Sequence, residues 1–169
     1  MLKLSFRRML AGWLLPVLLV IVSLVTVSID PQLAIADDFT KATLGSMDFT
    51  GKDLTSYEFT QASVRGGKFT DANLTGVSLI GGDFDSADFS GANMTNTALD
   101  TTRLTRTNLT NTIFVGAFVT NTNFNGAIID GADFTDVLLR KDVQKLLCKV
   151  AKGTNPKTGR VTRDTLECP

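Results

Sequence analysis

From Phe39 onward an apolar side chain returns at every fifth residue, twenty-one times without a slip of register, ending at Leu139. Two positions before each of these centres the residue is small in seventeen of the twenty-one repeats, mostly Ala, Gly, Thr or Val. The four exceptions, Asp37, Met47, Lys52 and Tyr57, all fall at the N-terminal end of the series. The residue after the centre is Thr in eleven repeats, and the next is often Gly, as at Gly51, Gly76, Gly91, Gly126 and Gly131.

A period of five suits neither regular element. A helix would rotate successive centres by about 140° and smear them around its axis, while a strand would alternate them between two faces. The spacing predicts instead a chain that turns a corner every five residues, so that each centre returns to one interior. Four sides make a square coil of twenty residues, and stacked coils pair their backbones about 4.8 Å apart. Twenty-one repeats make about five coils, a rod about 25 Å tall at that spacing. Sorting the centres by twenty predicts four interior ladders. The first side holds Phe39, Phe59, Leu79, Leu99, Val119 and Leu139, and the second Leu44, Val64, Phe84, Leu104 and Phe124. The third holds Phe49, Phe69, Phe89, Leu109 and Ile129, and the fourth Leu54, Leu74, Met94, Phe114 and Phe134. So narrow an interior cannot hold two large side chains per corner, which explains the small residue at the neighbouring position. No Pro interrupts the chain between Pro31 and Pro156, as coil-to-coil ladders require of their N–H donors. The fold class is all-β.

The units Ala72-Asn73-Leu74-Thr75-Gly76, Ala87-Asp88-Phe89-Ser90-Gly91, Ala92-Asn93-Met94-Thr95-Asn96 and Ala132-Asp133-Phe134-Thr135-Asp136 resemble the repeat of the pentapeptide-repeat proteins. The likeness covers residues 37–139, and it implies a right-handed quadrilateral β-helix. It implies no single activity, because a fold is not a function.

The two flanks of the repeat read differently. Lys3, Arg7 and Arg8 precede an uncharged run from Met9 to Ile29, and Ala34-Ile35-Ala36 offers a signal-peptidase pattern just before Asp37. Residues 1–36 are expected to be an export signal cleaved after Ala36. If uncleaved, residues 9–29 are long enough to cross a bilayer core of about 30 Å and would be the protein's one expected membrane contact. Beyond the repeats, Leu139, Val143, Leu146, Leu147 and Val150 fall at helical spacing, predicting an amphipathic helix over residues 140–153 with a basic polar face. A rod of stacked coils exposes an apolar cross-section that a terminal element must cover, so this helix is expected to be a cap. Residues 154–169 read as turns. In an exported chain the two cysteines, Cys148 and Cys168, argue for a disulfide tying that tail. Cys148, the Gly-Thr-Asn-Pro run, Thr162-Arg163-Asp164 and Cys168 resemble the C-terminal extension of lumenal pentapeptide-repeat proteins of thylakoids. That resemblance moves the expected address from a generic periplasm towards the thylakoid lumen.

Charge changes sign along the chain. Residues 37–139 carry six basic and thirteen acidic side chains, a net of −7, whereas residues 140–169 carry eight basic and three acidic, a net of +5. There is no His, so His-based catalysis and the commonest metal ligand are excluded. No oriented acid–base pair, nucleophile or phosphate-cradling loop emerges, and no enzyme activity, metal or cofactor is expected. The Asp groups 83, 85, 88 and 130, 133, 136 read as solvated outward positions rather than a Ca²⁺ site. Among outward positions Ile113, Val115, Phe118, Ile128 and Leu138 are apolar. They read either as a surface covered by residues 154–168 or as an interface with a protein partner. The leading functional reading is a non-enzymatic scaffold of the thylakoid lumen or periplasm. The alternatives are a lumenal protein gated by the Cys148–Cys168 bond and an acidic DNA mimic acting on topoisomerases. Export and the basic tail oppose the last, so no nucleic-acid partner is expected.

Overall fold

The computed structural model describes residues 37–169. The export signal, its cleavage after Ala36 and the anchor alternative at 9–29 lie outside the described residues. The chain from Asp38 to Asp133 coils with its backbone joined to itself at a separation of twenty, by parallel bridges such as Asp38 to Glu58, Asn73 to Asn93 and Ile113 to Asp133. Four straight sides separated by tight corners give a quadrilateral β-helix.

The repeat motif follows from what happens to its five backbone donors, each of which needs a partner. In the unit 72–76, Ala72 N–H closes the corner on Phe69 O at 3.0 Å. Asn73 N–H reaches back one coil to Lys52 O at 2.8 Å, while Leu74 and Gly76 N–H reach forward to Asn93 O and Thr95 O at 2.8 and 2.9 Å. The remaining donor, Thr75 N–H, is satisfied within the repeat by the Asn73 side chain at 3.2 Å. Thr75 Oγ1 donates to that same Asn73 oxygen at 2.7 Å. Asp or Asn before the centre and Thr after it therefore form an Asx turn that spares the ladder. Most corners carry positive φ two residues beyond the centre, for example Asp71 at 55° and Gly76 at 73°. That requirement explains the Gly, Asn and Asp found there.

The interior ladders are as expected. All the centres are buried except Phe39, Leu44 and Leu139, which are half-buried at the two ends of the series. On the third side the rings of Phe49, Phe69 and Phe89 stack at 4.9 and 4.6 Å, close to the coil spacing. Phe59 and Phe84 meet this column edge-on, and Phe114 stacks on Phe134 at 5.0 Å. In several later repeats the small position is Thr, and the buried hydroxyls of Thr97, Thr102, Thr112 and Thr122 donate to a carbonyl of the preceding coil. Thr102 to Leu79 O and Thr112 to Phe89 O are both 2.8 Å. These bonds keep a polar atom inside without leaving it unpaired.

After Leu139 the chain leaves the coil. Helix α1 spans Lys141–Cys148, shorter than the stretch read from the sequence, and a short helix α2, Thr162–Thr165, lies within the segment expected to be turn-rich. The buried stripe of α1 continues from Leu147 to Ala151, with Val143 half-buried, while Leu146 and Val150 stay 38% and 52% exposed. The amphipathic pattern thus named the right helix but placed two of its apolar residues inside. Leu147, Ala151 and Leu166 join the same apolar cluster as Ile129 and Phe134. Gly131 N–H and Phe134 N–H, which in an inner coil would bond the next coil, take Lys152 O at 2.8 Å and Thr165 Oγ1 at 3.1 Å instead.

The register makes a direct test. Replacing Phe89, fully buried in the ring stack, by Ala should cost about 3–5 kcal/mol in urea unfolding. The change Ser90→Asp on the outer surface should stay within about 0.5 kcal/mol. Replacing Phe89 by Asp should abolish cooperative unfolding altogether, because an unpaired charge cannot be buried there. Equal effects at the two positions would show the register to be wrong.

Candidate interaction surface

Any function of such a rod lies in what its sides and ends display. The five apolar outward residues are distributed over three sides. Ile113 and Val115 flank Phe114 on the fourth side, both half-buried. Phe118 lies just past the corner on the first side and Leu138 near its end, 61% and 91% exposed. Val115, Phe118 and Leu138 therefore share one corner, with Ala98 beneath Phe118 in the ladder. Ile128 stands apart on the third side, opposite the first, 53% exposed and beside Lys149 and Val150 in a shallow groove.

The tail does not cover Phe118, Ile128 or Leu138. It runs instead along the corner between the third and fourth sides, where Asp71, Gly91, Asn111 and Gly131 lie one above another. Asn155, fully buried, donates to Asn111 O at 3.0 Å and Gly131 O at 2.9 Å. Its own oxygen accepts from Lys157 N–H and Thr158 N–H at 2.9 and 3.1 Å. Lys157 Nζ reaches two coils further to Gly91 O at 2.7 Å and Asp71 at 3.1 Å. The approach is close enough to need glycine. A Cβ on Gly153, whose φ is +83°, would stand 3.0 Å from Gly131 N, and one on Gly131 would collide with the Asn111 side chain.

Two aspartates read as solvated are in fact buried. Asp133 has a fully buried side chain that accepts from Thr135 N–H at 3.0 Å, Thr135 Oγ1 at 2.6 Å and Arg160 at 3.2 Å. Burial pushes its carboxyl up, but these bonds outweigh burial and hold it below the ordinary carboxylate range. Asp85 on the second side takes Arg65 at 3.0 Å, Arg106 at 2.6 Å and the Thr105 hydroxyl. The Thr105 bond, with both arginines, holds this carboxyl low as well. Arg65, Asp85 and Thr105 stand one coil apart in succession, so this cluster was legible by sorting outward residues by twenty. The Arg160 contact had no such signal, because its partner comes from outside the repeat.

Cys148 and Cys168 form a disulfide with Cα atoms 5.6 Å apart. Beside it, Arg163 donates to Cys148 O and Pro169 O, both at 2.9 Å. The bond and the arginine fasten the chain terminus to α1.

Comparison with known proteins places these features. The family described as "Pentapeptide repeats (8 copies)" matches residues 38–76, 68–106 and 102–140. The chain is similar to a crystal structure of a pentapeptide repeat protein from the Arabidopsis thaliana thylakoid lumen. The two share 40% identity and a TM-score of 0.63, over 73% of this chain and 89% of that one. It is also similar to the Arabidopsis thaliana protein "Thylakoid lumenal 15 kDa protein 1, chloroplastic", 64% identical over 36 residues. That match spans 21% of this chain and only 16% of the relative. These likenesses bear out the right-handed quadrilateral β-helix and the exported, thylakoid-lumen address.

The tail contacts yield two expectations. Asn155→Ala strips two carbonyls of their donor and should cost about 2–4 kcal/mol in urea unfolding. A carboxyl whose folded value is depressed stabilises the fold above its unfolded value, and the contribution fades as pH falls through the folded value. Asp133→Asn should therefore be destabilising at neutral pH, with the gap to the unaltered protein closing below about pH 4. A gap of constant size from neutral to strongly acid pH would remove Asp133 as the tail's anchor.

Proposed function

Because the chain belongs to the pentapeptide-repeat family, we propose that it acts as a non-enzymatic scaffold for protein partners in the thylakoid lumen. In this reading residues 37–139 make about five coils, residues 140–153 cap them, and residues 154–169 are a tail tied by the disulfide. Residues 1–36 serve as the export signal. One observation carries the reading: Val115, Phe118 and Leu138 line a single corner of a rigid rod, and the tail that would have covered them runs elsewhere. An aromatic at the centre of such a patch is the usual anchor of a protein interface. The sequence offers no nucleophile or acid–base pair for catalysis, and its lumenal address separates it from any topoisomerase.

A second reading has its own observation. Arg163 bridges Cys148 O and Pro169 O across the disulfide, so reduction of the bond would loosen the terminus and the segment leading to it. The disulfide would then gate partner binding. Affinity capture from lumenal extract distinguishes the two, using residues 37–169, a Phe118→Asp/Leu138→Asp variant and a Cys148→Ser/Cys168→Ser variant as baits. A partner lost only with the Phe118 and Leu138 changes supports the scaffold surface, and one lost only with the cysteine changes supports the gate. A partner retained by all three baits, or none at all, would remove the proposed corner from consideration.

A further inference from the structure

Of the eight cations of the tail, Arg163 donates to the carbonyls of Cys148 and Pro169, and the other seven fall into two groups. Four are paired with carboxylates: Arg140 with Asp142 at 2.9 Å, Lys152 with Asp130 at 3.2 Å, Lys157 with Asp71 at 3.1 Å and Arg160 with Asp133 at 3.2 Å. Lys141, Lys145 and, at the C-cap, Lys149 recur four residues apart along α1; all are exposed, and none is in an ion pair among the described residues. They form one outward stripe. Helix α1 crosses the last coil from Asn121, held by Arg140 at 3.2 Å, to Asp130, held by Lys152. Lys141 and Lys145 therefore face away from the coils at the C-terminal end, and Lys149 overhangs the third side beside Ile128.

Aliphatic side chains that failed to enter the core accompany these lysines. Val150 is 52% exposed and Leu146 38%. A depression of about 420 Å³ between the stems of Lys145 and Lys149 is floored by Cys148 and walled by Gln144, Arg163 and Pro169. Three lysines alternating with aliphatic residues, with no aromatic among them, is the reverse of a protein interface core. Such cores deplete Lys and enrich aromatics and Arg. It is the composition of a surface that settles on a lipid headgroup layer, where lysine stems lie along apolar surface and their charges meet anionic headgroups.

We propose that the C-terminal end of the rod is a docking surface for an anionic lipid bilayer. Lys141, Lys145 and Lys149 contact the headgroups, and Leu146 and Val150 enter the boundary between headgroups and acyl chains. Charge complementarity carries the orientation. The repeats, net −7, are repelled by such a membrane while the tail, net +5, is drawn to it. The rod then stands end-on, with its sides open to the lumen. This is independent of the partner corner at Phe118.

The test uses residues 37–169, whose core cluster runs from Phe39 to Cys168 among the described residues. Co-sedimentation is measured with vesicles of phosphatidylcholine mixed with phosphatidylglycerol and with phosphatidylcholine alone. Binding is expected only to the mixed vesicles, and should weaken as salt is raised. Each lysine is expected to contribute about fivefold, so Lys141→Gln/Lys145→Gln/Lys149→Gln should lower partitioning by roughly a hundredfold. Leu146→Ser/Val150→Ser should lower it by about tenfold at unchanged net charge. Circular dichroism melts checking that both variants still unfold cooperatively keep a loss of binding from being a loss of fold. Equal binding to both vesicle types, or partitioning unmoved by the lysine changes, overturns the proposal. So does self-association in free solution that the same lysine changes abolish, which would assign this end to a second copy of the chain.

Discussion

Everything in this molecule depends on the backbone hydrogen bonds that join each coil to the next at a separation of twenty residues. They fix the width of the interior, because four sides of five residues enclose room for one large side chain per corner and little else. They also fix the spacing along the rod, which lets Phe49, Phe69 and Phe89 stack face to face at the coil repeat. The recurring Asp or Asn before the centre belongs to the same constraint. One N–H in five points away from both neighbouring coils, and the Asx oxygen takes it, as Asn73 does for Thr75. The repeat is thus a solution to donor accounting as much as to apolar burial.

A stack of identical coils has no natural end, and here the chain leaves the coil after Leu139. The donors of Gly131 and Phe134 find substitutes in Lys152 O and Thr165 Oγ1, and Leu147, Ala151 and Leu166 extend the apolar cluster. The tail then turns back along one corner, where Asn155 and Lys157 grip successive coils. A disulfide ties its far end to α1. Closing a loop of this size stabilises a fold by about 3 kcal/mol, mainly by restricting the unfolded chain. Local opening of the last coil must therefore work against contacts reaching as far back as Asp71.

The segregation of charge gives the rod a direction. Basic residues of the tail are partly consumed in holding the acidic coils, through Arg160 to Asp133 and Lys157 to Asp71. The lysines left over are on α1, at one end. The apolar corner at Val115, Phe118 and Leu138 is separate from them in composition as well as place. One molecule thus presents two chemically different surfaces on a single rigid support.

The amino-acid sequence alone determined the period, the interior ladders, the all-β class and the existence of a terminal helix, because each of these is a local pattern repeated in register. It also held the Arg65, Asp85 and Thr105 column, though reading each aspartate singly as solvated concealed it. Only the tertiary structure decided which part of the tail lies on which corner. Asn155 on Asn111 and Gly131, and Arg160 on Asp133, join residues 24 to 44 positions apart outside the period. For the same reason the sequence could not say that Leu146 and Val150 would stay outside while Ala151 went in. A repeat dictates its own stacking because every coil contacts a copy of itself, whereas a tail meets a surface its own pattern does not encode.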